Sequence, residues 1–155
     1  MALHADWKEF LSLLNSHRVR FVVVGAHALA AHGQPRFTGD LDVLVEPTPT
    51  NAKKVLEVLR AFGFGALKIS QSDLYRPEMV IRLGQAPVGI DILTSISGVA
   101  FATAWKNRVR STLGGVKVAV LSVHDFVRNK RAAGRPKDLL DLELLRPSRG
   151  RTPRR

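Results

Sequence analysis

The sequence predicts a single α/β (α+β) domain built on a mixed β-sheet flanked by helices. Its 155 residues are one domain's worth, enough to bury roughly two thirds of the unfolded surface. Short continuous apolar runs, Phe21-Val22-Val23-Val24 among them, read as strands covered on both faces. Between the runs lie stretches whose apolar residues recur at helical spacing, and no internal repeat is visible.

Each element follows in order. Trp7, Phe10, Leu11 and Leu14 predict an amphipathic helix over residues 6–17 with Asp6 as its cap. The run 21–24 is the first strand, ended by Gly25, and the alanine-rich stretch 26–32 is a helix stopped by Gly33-Gln34-Pro35. Residues 41–45 form the second strand. Pro47-Thr48-Pro49 closes it before a helix over about 49–62 that carries Val55, Leu56, Val58 and Leu59 and ends at Gly63 and Gly65. Residues 67–70 and 79–83 predict two shorter strands, and 88–93 a further strand interrupted by one acid. A helix near 100–105 precedes a hairpin around Thr112 and 116–120 that turns at Gly114-Gly115. Ser122-Val123-His124-Asp125 has capping-box spacing, with Asp in the place of Glu or Gln, and opens a helix to about Ala133. Gly134-Arg135-Pro136 separates it from a last helix over about 137–145.

Composition narrows the chemistry. No cysteine is present, which excludes disulfides, thiolate catalysis and cysteine-bound zinc. His4, His17, His27, His32 and His124 show no zinc-ligand spacing, so an oxygen-ligated metal is the expectation for any metal site. No apolar run reaches the roughly 20 residues needed to cross a bilayer, and the residues after Met1 lack a secretory apolar region. A cytoplasmic protein with no membrane partner is expected.

The formal net charge of +11 points to a polyanionic partner such as nucleic acid. Arg146, Arg149, Arg151, Arg154 and Arg155 supply much of that excess, among Pro147, Ser148, Gly150 and Pro153. Residues 1–146 therefore form the domain and 147–155 a basic disordered tail, which adds salt-sensitive attraction to phosphates.

The chemistry concentrates in Arg36-Phe37-Thr38-Gly39-Asp40-Leu41-Asp42. Alternate strand residues share a face, so Asp40 and Asp42 point the same way, about 7 Å apart, and repel unless a cation sits between them. Asp91, between Ile90 and Ile92 in an apolar strand, would cost several kcal/mol as an isolated buried carboxylate unless a metal or a paired arginine compensates it. The three acids together are the minimum set for two Mg²⁺ ions in phosphoryl or nucleotidyl transfer. Gly25, between a strand and a helix start, permits close approach of a phosphate to backbone N–H groups. Lys130 lies on the apolar stripe with Val123, Phe126 and Val127, where it snorkels to solvent or meets an anion such as a nucleotide phosphate or Asp138. Arg135 and Lys137 add positive charge at the adjoining turn. His27 and His32 lie five apart, off a common helix face, and read as packing or surface residues.

Gly25-Ala26, a spacer over 27–39, Asp40-Leu41-Asp42 and the later strand acid Asp91 resemble the signature of the nucleotidyltransferase (polymerase-beta-like) superfamily. With Arg36, Thr38 and the run 130–138, Lys-Arg-Ala-Ala-Gly-Arg-Pro-Lys-Asp, the chain is similar to small bacterial nucleotidyltransferases, among them toxin-like proteins of toxin–antitoxin and abortive-infection systems. The resemblance covers roughly residues 20–143. It implies a nucleotidyltransferase-like fold in which Asp40, Asp42 and Asp91 hold Mg²⁺, with Asp91 also orienting or deprotonating the attacking hydroxyl. It further implies that Gly25 and Ala26 line the triphosphate, Arg36 and Thr38 support the carboxylates or the phosphate, and Lys130 neutralises charge developing on the phosphates, oriented by Asp138. Where the family commonly has a second glycine or a serine, this chain has Ala26, so a hydroxyl that binds phosphate is missing.

The function so implied is Mg²⁺-dependent transfer of NMP from an NTP to a hydroxyl. The basic balance favours RNA, for example tRNA, as acceptor, a partner protein is the other candidate, and a cognate toxin or antitoxin is a further expected partner. The alternative is a catalytically silent domain of this fold that binds nucleic acid or a partner protein.

Overall fold

The computed structural model describes residues 3–33, 40–85 and 88–145, so the tail over 147–155, with Arg36 and Thr38, lies outside the described residues. Among the described residues the architecture is one mixed six-stranded sheet with six α-helices. In chain order the elements are α1 (Ala5–Ser16), β1 (Phe21–Val24), α2 (Gly25–Ala31), β2 (Asp40–Val45), α3 (Pro49–Ala61), β3 (Val80–Leu83), β4 (Gly89–Leu93), α4 (Phe101–Lys106), β5 (Val109–Leu113), β6 (Val116–Val120), α5 (Val123–Ala133) and α6 (Pro136–Leu145). The strand order across the sheet is β3-β4-β2-β1-β6-β5. β2 runs parallel to β4 and β1 parallel to β6, while β1/β2, β3/β4 and β5/β6 are antiparallel.

The apolar runs account for the centre of the sheet. Phe21, Val22, Val23 and Val24 are all buried, as are Leu41, Val43, Leu44 and Val45 of β2, because β1 and β2 are the innermost strands. At the rim, β3 alternates: Ile81 and Leu83 face the core, whereas Val80 and Arg82 are exposed. That alternation is what a strand covered on one face requires. Trp7, Phe10, Leu11 and Leu14 of α1 are buried in the same core, as are Val55, Val58 and Leu59 of α3.

Two expectations need correction. The α1 cap is His4, whose Nδ1 accepts from the Asp6 backbone N–H at 3.0 Å, rather than Asp6. Asp6 instead lies in the first turn, where its charge complements the helix dipole. Residues 67–70 form no strand. Leu67 is 41% exposed, and Ser70 and Asp73 close a reciprocal capping box that starts a 3₁₀ turn over Gln71–Leu74. Local side-chain bonds to the backbone thus win over a short apolar run without a partner strand. The first hairpin strand, expected around Thr112, spans Val109–Leu113.

Caps and one buried amide lock the remaining joints. Thr48 accepts from Asn51 N–H with Pro49 just inside the helix, and Ser122 Oγ accepts from Asp125 N–H at 3.1 Å. The Asn51 side chain, 2% exposed, bonds both backbone groups of Arg20 and the carbonyl of Glu46, tying the start of β1 and the end of β2 to α3. Gly134, at φ +66°, ends α5 in the left-handed conformation that glycine tolerates. Among the described residues no helix is long and apolar enough to cross a membrane.

Candidate active site

Sheet register builds the site. Val24 of β1 is opposite Asp42 of β2, Asp42 is opposite Asp91 of β4, and Asp91 is opposite Arg82 of β3. Residues in register share a face, so Arg82, Asp91, Asp42 and Val24 form one row across four strands. Asp40, two residues before Asp42, has the same facing and is opposite Gly89.

The acids are crowded. Burial, then the charge and a side-chain hydrogen bond of Asp91, then the charge of Asp40, push the Asp42 carboxyl up to about 7, and Lys137 pulls weakly the other way. Arg82 answers part of that charge. Its Nη1 donates to both oxygens of Asp91 at 2.9 and 3.0 Å, and its Nη2 donates to Asp40 Oδ1 at 3.2 Å. The Asp91 hydrogen bond above all raises the guanidinium pKa further. Among the described residues, no group of three or more Asp, Glu or His side chains is gathered as a ready metal cage.

Gly25 follows Val24 at φ +70°, and a Cβ there would run into Asp42 Oδ2. The residue is glycine for both reasons, conformation and room. Gly25 and Ala26 form the first turn of α2, whose cap, Val24, offers no side-chain bond to their N–H groups. His27 is buried edge-on against Trp7, at 4.9 Å between ring centroids, and burial lowers its pKa. His32 Nε2 meets the Leu121 carbonyl at 2.7 Å, joining the end of α2 to the end of β6. Both are packing residues.

A cavity of about 590 Å³ opens beside the row, lined by Gly25 and Asp42 on one side and by Asn129, Lys130 and Arg135 on another. Lys130 is only 6% exposed. It does not snorkel: its Nζ sits 3.2 Å from Asp138 Oδ1 and 3.4 Å from Asp141 Oδ2, and 5.2 Å from the Phe126 ring centroid. Arg135 Nε donates to Asp138 Oδ2 at 2.7 Å. Burial alone would raise the Asp138 carboxyl, but hydrogen bonds from Arg135 and Lys130 outweigh it and hold the group at about 2. Asp138 is fully buried behind the two cations rather than in the cavity.

Comparisons with known proteins speak to the family. A family model described as nucleotidyl transferase of unknown function (DUF2204) matches residues 4–150. The chain belongs to this family. The crystal structure of a candidate nucleotidyltransferase from Thermotoga maritima is similar in fold, with a TM-score of 0.56 at 18% identity over 90% of this chain and 87% of that one. No curated protein matches the chain.

In this nucleotidyl transferase family member the structure thus brings Gly25, Asp42, Lys130 and Arg135 around one cavity and sets Asp40 and Asp91 beside Asp42. Lys137 is exposed and reaches the site through its field on Asp42. Sequence reasoning missed Arg82 and Asp141. The signal for Arg82 was the alternation of Val80-Ile81-Arg82-Leu83, but it became readable only once β3 was known to pair with β4.

Proposed function

We propose that this protein is a Mg²⁺-dependent nucleotidyltransferase that moves NMP from an NTP to a hydroxyl acceptor. The observation that carries the reading is the in-register pair of Asp42 and Asp91, with Asp40 alongside, where Asp42 lines a cavity that Lys130 and Arg135 also line. The donor set is all oxygen, and Asp42 is pushed up by burial first and then by its carboxylate neighbours Asp91 and Asp40. Hard divalent cations match that chemistry, so the residues fit the group.

Asp40, Asp42 and Asp91 would hold two Mg²⁺ ions, which when bound would neutralise charge on the attacking and leaving oxygens. The other roles belong to the chain. Gly25 leaves room for a triphosphate, and the N–H groups of the first α2 turn, Gly25 and Ala26, can meet its oxygens. Lys130 and Arg135 would meet phosphate oxygens from the cavity wall, their direction fixed by Asp138, and Lys137 would add its field near Asp42. Asp91 would accept the proton of the attacking hydroxyl. Arg36 and Thr38 are assigned the support of the phosphate or carboxylates on resemblance alone.

For the acceptor we favour an RNA end such as that of tRNA, because the net charge of +11 attracts polyanions and disfavours cationic small molecules. A hydroxyl on a partner protein, with the pair acting as toxin and antitoxin, is the competing acceptor. The test is label transfer from each of four α-labelled NTPs, with Mg²⁺, onto total RNA and onto extract protein, comparing wild type with Asp42→Ala. Label with wild type only is expected. Its absence from a folded wild-type protein would favour a silent nucleotide- or RNA-binding domain. That second reading has its own support in the Arg82 guanidinium, which already compensates Asp91 and Asp40.

A further inference from the structure

We propose that Arg82 is a built-in counter-ion of the carboxylate cluster, holding Asp91 and Asp40 in the metal-free protein and withdrawing from them when a divalent cation enters. The inference rests on the metal-site reading above and adds a residue outside the site predicted from the sequence.

An ordinary cross-strand ion pair would stop at Asp91, directly opposite Arg82. Arg82 goes further. Asp40 is on β2, two strands away, a backbone separation of about 9.5 Å at ordinary strand spacing. The guanidinium reaches it, at 3.2 Å, while its other nitrogen keeps both oxygens of Asp91. Gly89 makes the span possible. A Cβ at that position would lie 2.8 Å from Arg82 Nε and 2.7 Å from Asp40 Oδ1, so any side chain there would meet the arginine where it crosses β4. The glycine has no positive φ to explain it, and room for this crossing does.

The position is also built for release. β3 is an edge strand, and the Arg82 side chain is 42% exposed, so rotation away from the acids meets solvent rather than core. Each oxygen Arg82 holds is one that a cation needs, and guanidinium and metal cannot share those lone pairs at full strength. Entry of the metal is therefore a displacement, and the freed guanidinium, planar and bidentate, can then meet a phosphate at the mouth of the site.

The experiment is binding of Mn²⁺ alone, followed by the electron paramagnetic resonance of the free ion, to wild type, Arg82→Gln, Arg82→Lys and Asp42→Asn. Arg82→Gln should bind about tenfold more tightly, as expected on removing a charge-assisted bidentate competitor. Arg82→Lys, which keeps the charge but not the fork, should fall between, and Asp42→Asn should bind weakly. Melting of the metal-free proteins supplies the second readout. Arg82→Gln should melt lower than wild type, and saturating Mn²⁺ should erase the difference. Equal or weaker Mn²⁺ binding by Arg82→Gln, with wild type binding normally, overturns the counter-ion role and leaves the metal site standing. Failure of every protein to bind Mn²⁺ overturns the metal-site reading and this inference with it.

Discussion

Asp42 and Asp91 face each other directly across two parallel strands, with their carboxyl groups in hydrogen-bonding reach. Such a pair shares a proton more readily than it carries two charges. Burial first, then Asp91, brings Asp42 to about 7, above the roughly 3.9 of an unfolded aspartate. Between those values the native state binds more protons than the unfolded chain, so stability of the metal-free protein falls as pH rises from about 4 to 7. Asn cannot ionise. Asp42→Asn should be more stable than wild type at pH 8, by on the order of 2 kcal/mol, and the advantage should close by pH 4. Urea unfolding at pH 4, 6 and 8 measures it, and a pH-independent difference would contradict the shared-proton picture.

Gly25 makes a second prediction. Ala at this position must adopt φ near +70° and place its methyl against Asp42 Oδ2. The conformation costs about 1 kcal/mol and the contact adds to it, so Gly25→Ala should lose about 2 kcal/mol of stability. If Gly25 also leaves room for a triphosphate, NTP binding should fall by more than the stability loss explains, in calorimetric titration of the folded variant. Unchanged NTP binding would remove Gly25 from the nucleotide site.

What the sequence made legible follows from how local each signal is. The strands 21–24 and 41–45 were readable because they are continuous apolar runs, and the cap at Ser122 because capping acts within three residues. Asp42 and Asp91 could be named as candidates from their apolar surroundings, but their adjacency depends on β2 and β4 pairing in parallel across the 48 residues between them, which no local pattern encodes. Residues 67–70 misled for the reverse reason: the apolar spacing was present, while the competing Ser70 and Asp73 capping box is a side-chain geometry. Arg82 was invisible because an arginine on an exposed edge strand looks like any solvated residue until its partners are placed.

Lys130 carries structural weight that its sequence position understates. Its ammonium is closed between Asp138 and Asp141, both fully buried. Removing one partner of a buried pair leaves the other charge uncompensated. Lys130→Met should therefore cost about 3 kcal/mol, the lower end of the usual range because Arg135 still holds Asp138. Chemical denaturation at pH 7 checks this, and a loss below about 1 kcal/mol would show that the acids find other compensation. A rate effect of Lys130 on transfer must be read from variants that remain folded, as a fall in kcat rather than in nucleotide affinity.

Asp138 gives the acid limb of the stability profile, opposite in sign to Asp42. Its folded value of about 2 lies below the unfolded value of roughly 3.9, so its contribution is fully present above pH 4 and is lost as pH falls toward 2. The shift corresponds to about 2.5 kcal/mol, sustained by the Arg135 and Lys130 hydrogen bonds against the cost of burial. Asp138→Asn removes the titration, so its stability should be lower than that of wild type at pH 6 and should change less between pH 4 and 2. The two carboxylates act in windows that do not overlap. Relative to metal-free wild type, Asp138→Asn should therefore flatten the acid side of the stability profile and Asp42→Asn the neutral side. Urea midpoints across pH 2 to 8 for the three proteins test the assignment, and a variant that flattened the wrong side would overturn it.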